Sequence, residues 1–159
     1  GQTQGEHAYS VAQHAVLVTD ILMRRNPGLP DEWQLAALLH DAPEYVVGDL
    51  ISPFKAAIGD GYRSIEKRLL AAVHLHFGLP AELPQTLTDD IKCADGVAAY
   101  VEAISVAGFT REEANAIFGK PAETESIEHD LAECGLLTAW PTAQAQDTFL
   151  ARCTRLMLT

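Results

Sequence analysis

Basic residues are scarce in this chain: 11 Lys and Arg stand against 22 Asp and Glu over 159 residues, a formal net charge of −11. Nucleic acid is held through clustered Lys and Arg that displace counterions from phosphate, and here the few that exist are scattered, which excludes a nucleic-acid polymer as the main partner. A small anionic metabolite stays open, because a divalent cation would supply locally the positive charge that the chain lacks. Long hydrophobic runs are missing too. None reaches the roughly 18 residues that a bilayer demands, and the longest are broken by His, Asp or Pro, so no membrane span is expected. Cysteine is limited to Cys93, Cys134 and Cys153, widely spaced and without a CxxC pair. That number builds no disulfide framework and favours a reducing compartment, with the cytoplasm as the expected location. Finally, no alternating apolar–polar pattern competes with helical spacing, and no repeat, low-complexity tract or long linker divides the chain.

What is present is a helical pattern on a chain that is 48% hydrophobic and 21% charged, suited to one domain with a real core over residues 1–159. The opening GQTQGEH has no Met and no signal-like region, so native residues are expected ahead of it. Ser10 and Gln13 fit a capping box, followed by Val11, Ala15, Val18 and Leu22 on one face of a helix over about 10–25. After "NPGLPDE", Asp31 can cap a second helix running to His40, and Pro43 biases Ala42 away from helical geometry, which puts His40 and Asp41 at a helix end. "YRSIEKRLLAAVHLHF" reads as a long amphipathic helix. Thr88 reads as the cap of "DDIKCADGVAAYVEAISV", with Asp89 and Asp90 near its N-terminus. Short pieces around "REEANAIF" precede a last helix with Phe149, Leu150, Cys153, Leu156 and Met157 as an apolar stripe. The expected fold is an all-α, compact, single-domain helical bundle.

Chemistry enters at "LLHDAPEYVVGDL", residues 38–50, where His40, Asp41, Glu44 and Asp49 interrupt an otherwise greasy stretch. Burying ionisable groups is costly unless something compensates their lost hydration, and a bound cation can. Each residue also has a plainer explanation. His14, on the inward face of the first helix, is by itself better explained as a core histidine with a hydrogen-bond partner. Asp41 could simply cap the short helix opened by Pro43. Asp95 sits among Cys93, Ala94, Gly96, Val97 and Ala98, which predicts burial, although a salt bridge to Lys92 would place it on the polar face. Taken together, two imidazoles and two carboxylates on three helices make an N/O site for one divalent ion with positions left for water and substrate.

"YSVAQHAVLV", "ALLHDAPEYVVGDLISPFK" and "IKCADGVAAYVEA" resemble the three motif blocks of the HD-domain metal-dependent phosphohydrolases, in the branch that includes bacterial 5′-deoxynucleotidases. The likeness runs from about residue 9 to 105, roughly two-thirds of the chain, and its most specific part is "HDAPEYVVGD" between two other matching blocks. The resemblance implies the HD fold and metal ligation by His14, His40, Asp41 and Asp95. It further implies that Glu44 orients the nucleophilic water and that Asp49 takes part in proton transfer. Read without it, Glu44 is equally an exposed helix acid and Asp49 a turn acid after Gly48. Lys55 is the candidate phosphate contact.

The implied reaction releases phosphate from a (deoxy)nucleoside 5′-monophosphate, with one divalent ion as cofactor: Mn, Co, Fe, Ni, Zn or Mg, its identity not readable from N/O donors. His74 and His76 invite a second metal, but two residues apart on a helix they point to nearly opposite faces. His7 lies ahead of the first helix, and His129 sits in the acidic "SIEHD" stretch as a surface residue. Two alternatives remain: an HD hydrolase acting on nucleoside triphosphates or an alarmone, and a non-catalytic metal- or nucleotide-binding HD protein. The partner expected is a small phosphorylated metabolite, and pairing into a homodimer is expected because the last helix lies outside the matched blocks.

Overall fold

The computed structural model describes residues 3, 5–48, 50, 57–121 and 124–158. Among them are helices and turns and no strand, as the spacing predicts. The helices are α1 (Val11–Arg25), α2 (Asp31–Leu38), α3 (Glu44–Val47), α4 (Asp60–His76), α5 (Gln85–Ser105), α6 (Arg111–Phe118), α7 (Thr124–Glu133) and α8 (Thr142–Met157). None of the described helices is long and apolar enough to cross a membrane.

α1 is the central element. Ser10 caps it, its hydroxyl accepting from the Gln13 backbone N–H at 3.2 Å. The second half of the predicted capping box goes elsewhere. The Gln13 side chain is fully buried, and its amide donates to the carbonyls of Leu136 at 3.2 Å and Thr138 at 2.7 Å. Its Oε1 accepts from the Trp140 backbone N–H at 2.9 Å, so Gln13 clasps the α7–α8 connection onto α1. Ala15, Val18 and Leu22 are buried as expected, whereas Val11 is at the surface.

α1 packs against α2, α5 and α8, and α8 also packs on α2. Leu17, Ile21 and Leu38 meet Val97, Val101 and Tyr100 in one core. Burying such side chains contributes about 1.5–3 kcal/mol each, which is what holds α1 against α5. An ion pair between Arg152 and Asp20 ties α8 to α1 at the edge of that core. Of the predicted α8 stripe, Cys153 and Leu156 are buried, but Leu150 and Met157 face solvent. The three cysteines are free thiols.

Two helix starts and one helix end differ from the sequence reading. Asp31 is the first helical residue rather than a cap, with Pro30 preceding it and no side-chain cap bond. α5 begins at Gln85 after Pro84, so Thr88 lies inside the helix and its hydroxyl donates to the Pro84 carbonyl at 3.3 Å. Proline pre-sets the φ of a helix start and gives up an N–H that would have no partner there, and that outweighs the side-chain cap that Thr88 offers. α2 stops at Leu38, two residues before His40, and a run of tight turns leads into Pro43.

Candidate metal centre

His40 and Asp41 stand in that run of turns. Pro43 cannot continue a helix from Ala42, so the chain turns through Ala42 N–H to Leu39 O at 3.0 Å and Glu44 N–H to Asp41 O at 3.0 Å before α3 opens at Glu44. Gly48 closes α3 in the left-handed region, φ 79°. The turn aims His40 inward. Its Nδ1 lies 2.8 Å from the Ala37 carbonyl, so Nδ1 carries the proton and the Nε2 lone pair is left to face the site. That Nε2 is buried and has no hydrogen-bond partner, although Asp41 Oδ2 is 3.3 Å away.

His14 comes to the same place from α1, its ring centroid 5.4 Å from that of His40. Donor atoms of His14, His40 and Asp41 all lie within 4.8 Å of one another. Asp95, on α5, stands outside that mutual group and joins through His14, with Oδ1 3.1 Å from His14 Nε2, while Asp41 Oδ2 is 3.5 Å from the same nitrogen. Burial was expected for Asp95, but its side chain is 44% exposed. The small neighbours Ala94, Val97 and Ala98 are buried against the core, while Asp95 stays partly open to solvent and reaches His14.

Two imidazoles and two carboxylates suit a divalent ion, and an unpaired buried nitrogen beside a carboxylate is the kind of polar atom that native structures rarely leave without a partner. The residues therefore fit a metal. Burial alone lowers the pKa of His14, but the carboxylates of Asp95, Glu102 and Asp41 outweigh it and hold the imidazole well above its ordinary range. A cation at Nε2 would replace the proton there.

Glu102 was missed by the sequence reading. Its Oε1 lies 2.7 Å from His14 Nδ1, on the side of the ring away from Asp95. Within "VEAISV" it looks like any solvated helix acid; the one available signal is its seven-residue distance from Asp95, two helical turns along one face. Tyr9 lies against it, and burial, followed by the charge of Glu102 and a hydrogen bond to it, pushes the phenol far up, so Tyr9 stays protonated.

A cavity of about 310 Å³ opens beside His14, Asp41 and Glu44, with Glu102 in its wall. Its other side is apolar, including Val106, Phe109 and Phe118. The Phe109 and Phe118 rings meet edge to face at 6.5 Å. No Lys or Arg lines this cavity among the described residues. Asp49 and Lys55 lie outside the described residues. Of the other histidines, His76 is exposed and His74 buried on α4, as two-residue spacing requires; His129 is at the surface beside Glu133. His7 precedes α1 and is not in the cluster.

The family of 5′-deoxynucleotidase YfbR-like proteins matches residues 2–124. A protein of Rhodobacter capsulatus, named only as uncharacterised, is 60% identical over 121 residues, covering 76% of this chain and 62% of that protein. The uncharacterised protein YfdR of Escherichia coli K12 is 35% identical over 89 residues, covering 56% of this chain and 43% of YfdR. The chain thus spans less than two thirds of the length of either relative. With a family match that takes in α1 to α6 and every cluster residue, this chain belongs to the YfbR-like 5′-deoxynucleotidase family of the HD-domain superfamily.

Proposed function

We propose that this protein hydrolyses a (deoxy)nucleoside 5′-monophosphate, using one divalent ion held by His14, His40, Asp41 and Asp95. The observation that carries the reading is the buried Nε2 of His40, unpaired and pointed at a site that already gathers His14 Nε2 and Asp41. When bound, such an ion acidifies water and neutralises charge on phosphate oxygens. The chain's own residues do the rest. Glu44, in the wall of the same cavity, accepts a hydrogen bond from the attacking water and orients it toward phosphorus. As water adds to phosphorus it keeps one proton as the new P–OH and releases the other to solvent, the bond from phosphorus to the 5′ oxygen breaks, and Asp49, protonated at the outset, delivers its proton to that oxygen and regains one from solvent. The products are a nucleoside and inorganic phosphate.

The cavity's apolar side suits the nucleoside, and its lack of described cationic side chains suits one phosphate better than three, since each further phosphate would need its own compensating charge. Lys55 is assigned to the phosphate on sequence alone. Purified protein should be screened with Mn, Co and Mg against deoxynucleoside monophosphates, nucleoside triphosphates and cyclic dinucleotides. Metal-dependent phosphate release from monophosphates is expected. Preferential turnover of triphosphates would transfer support to the alternative HD activity, and no turnover with metal bound would support a binding protein.

A further inference from the structure

We infer that Glu102 is a positioning residue of the metal centre: it holds His14 in the one tautomer and ring orientation that present Nε2 to the ion. The inference rests on the proposed metal site and adds to it a residue outside the ligand set. His14 Nδ1 and Glu102 Oε1 are 2.7 Å apart, and a carboxylate can only accept, so Nδ1 carries the hydrogen. Nε2 is then the nitrogen left for the ion, and it is the one that faces Asp95 and Asp41. Glu102 and Asp95 are on one face of α5, two turns apart, and His14 of α1 lies between them. One helix thereby fixes both ends of the ring. His40 is fixed by the same logic through a different group, the Ala37 carbonyl at 2.8 Å.

Glu102 is itself held. Its side chain is only 21% exposed and takes part in the 2.7 Å contact with His14, so swinging to solvent would give up that contact, and its charge is felt by the nearby phenol of Tyr9. Carboxylates behind a ligating imidazole also raise its basicity, and losing such a partner costs about 10–100-fold in metal affinity.

The test is a Co²⁺ and Zn²⁺ affinity measurement by chelator competition on wild-type protein, Glu102→Ala and Glu102→Gln. Long-range ¹H–¹⁵N spectra of His14 in the Zn²⁺-loaded forms accompany it. Glu102→Ala should weaken both metals about 10–100-fold. Glu102→Gln should fall between that variant and wild type, because its amide oxygen still accepts from Nδ1 but carries no charge. The wild-type spectrum should show hydrogen on Nδ1 and metal on Nε2, and the Ala variant should show a mixture. A merely structural role would lower the thermal midpoint of the metal-free variants and leave affinity and tautomer unchanged; that result overturns the inference. Wild-type protein that takes up neither metal would overturn the metal site itself, and with it the role of Glu102. Equal affinities in all three proteins would remove only Glu102.

Discussion

Glu102 Oε1 and Asp95 Oδ1 stand at opposite nitrogens of one imidazole, 2.7 Å from His14 Nδ1 and 3.1 Å from His14 Nε2. Both acids belong to α5, while His14 belongs to α1, so the geometry of the site is set by how those two helices pack. The core in which Leu17 and Ile21 of α1 and Val97 and Val101 of α5 are buried together is consequently part of the site's precision as well as of its stability.

Glu44 is an acid that the proposed ligand set does not need. Glu44→Ala should keep the metal and lose hydrolysis of a deoxynucleoside monophosphate by about a hundred- to ten-thousandfold in kcat. Parallel metal analysis and steady-state kinetics check this. Turnover close to wild type, with metal bound, would remove Glu44 from water activation.

Asp49→Asn should show a leaving-group dependence. A nitrophenyl phosphate needs little protonation of its leaving oxygen, so it should suffer much less than a nucleotide. Comparing kcat for the two substrates decides the matter. Equal losses would assign Asp49 to holding the substrate instead.

The Gln13 clasp should matter for stability and not for chemistry. Gln13→Ala strips partners from the carbonyls of Leu136 and Thr138 and from the Trp140 N–H. Leaving buried polar groups unpaired costs about 1–3 kcal/mol, to be read from urea unfolding curves. A change within error of zero would mean that the α7–α8 connection is held by packing alone.

His74 gives the fold an acid-sensitive point. Burial lowers its pKa from the ordinary value of 6.5, with the Ala81 backbone acting the other way. The folded chain therefore binds this proton less readily than the unfolded one. Its contribution is present above the unfolded value and is lost as pH falls through the folded one. A second cavity, of about 330 Å³, opens beside His74, and Lys67, Glu82 and His40 line it with the imidazole. The urea midpoint of metal-free protein should fall as pH drops below the ordinary histidine value of 6.5, and His74→Leu should flatten that slope. Identical slopes would show that other groups carry the acid response.

Much of this was legible in the sequence because the signals are local. Ser10 sits next to the helix it caps, and Pro43 ends α2's reach within the very stretch that carries His40, Asp41 and Glu44. What could not be read depends on contacts between distant segments. Gln13 reaches residues more than 120 positions away, and Glu102 meets His14 across 88. Asp95 shows a subtler failure: small apolar neighbours announce that α5 approaches another helix closely, but a helix also has a flank, and Asp95 lies on it. Thr88 was read as a cap because Thr before two acids is a strong start signal, while Pro84 was a stronger one four residues earlier.

The central claim is that His14, His40, Asp41 and Asp95 hold one divalent ion. Asp95→Ala tests it most directly, because its side chain is 44% exposed and its loss leaves the core intact. Elemental analysis after dialysis, beside wild type and with folding confirmed by circular dichroism, should find about one ion per chain in wild type and a small fraction of that in the variant. Full occupancy in folded Asp95→Ala protein would contradict the assignment.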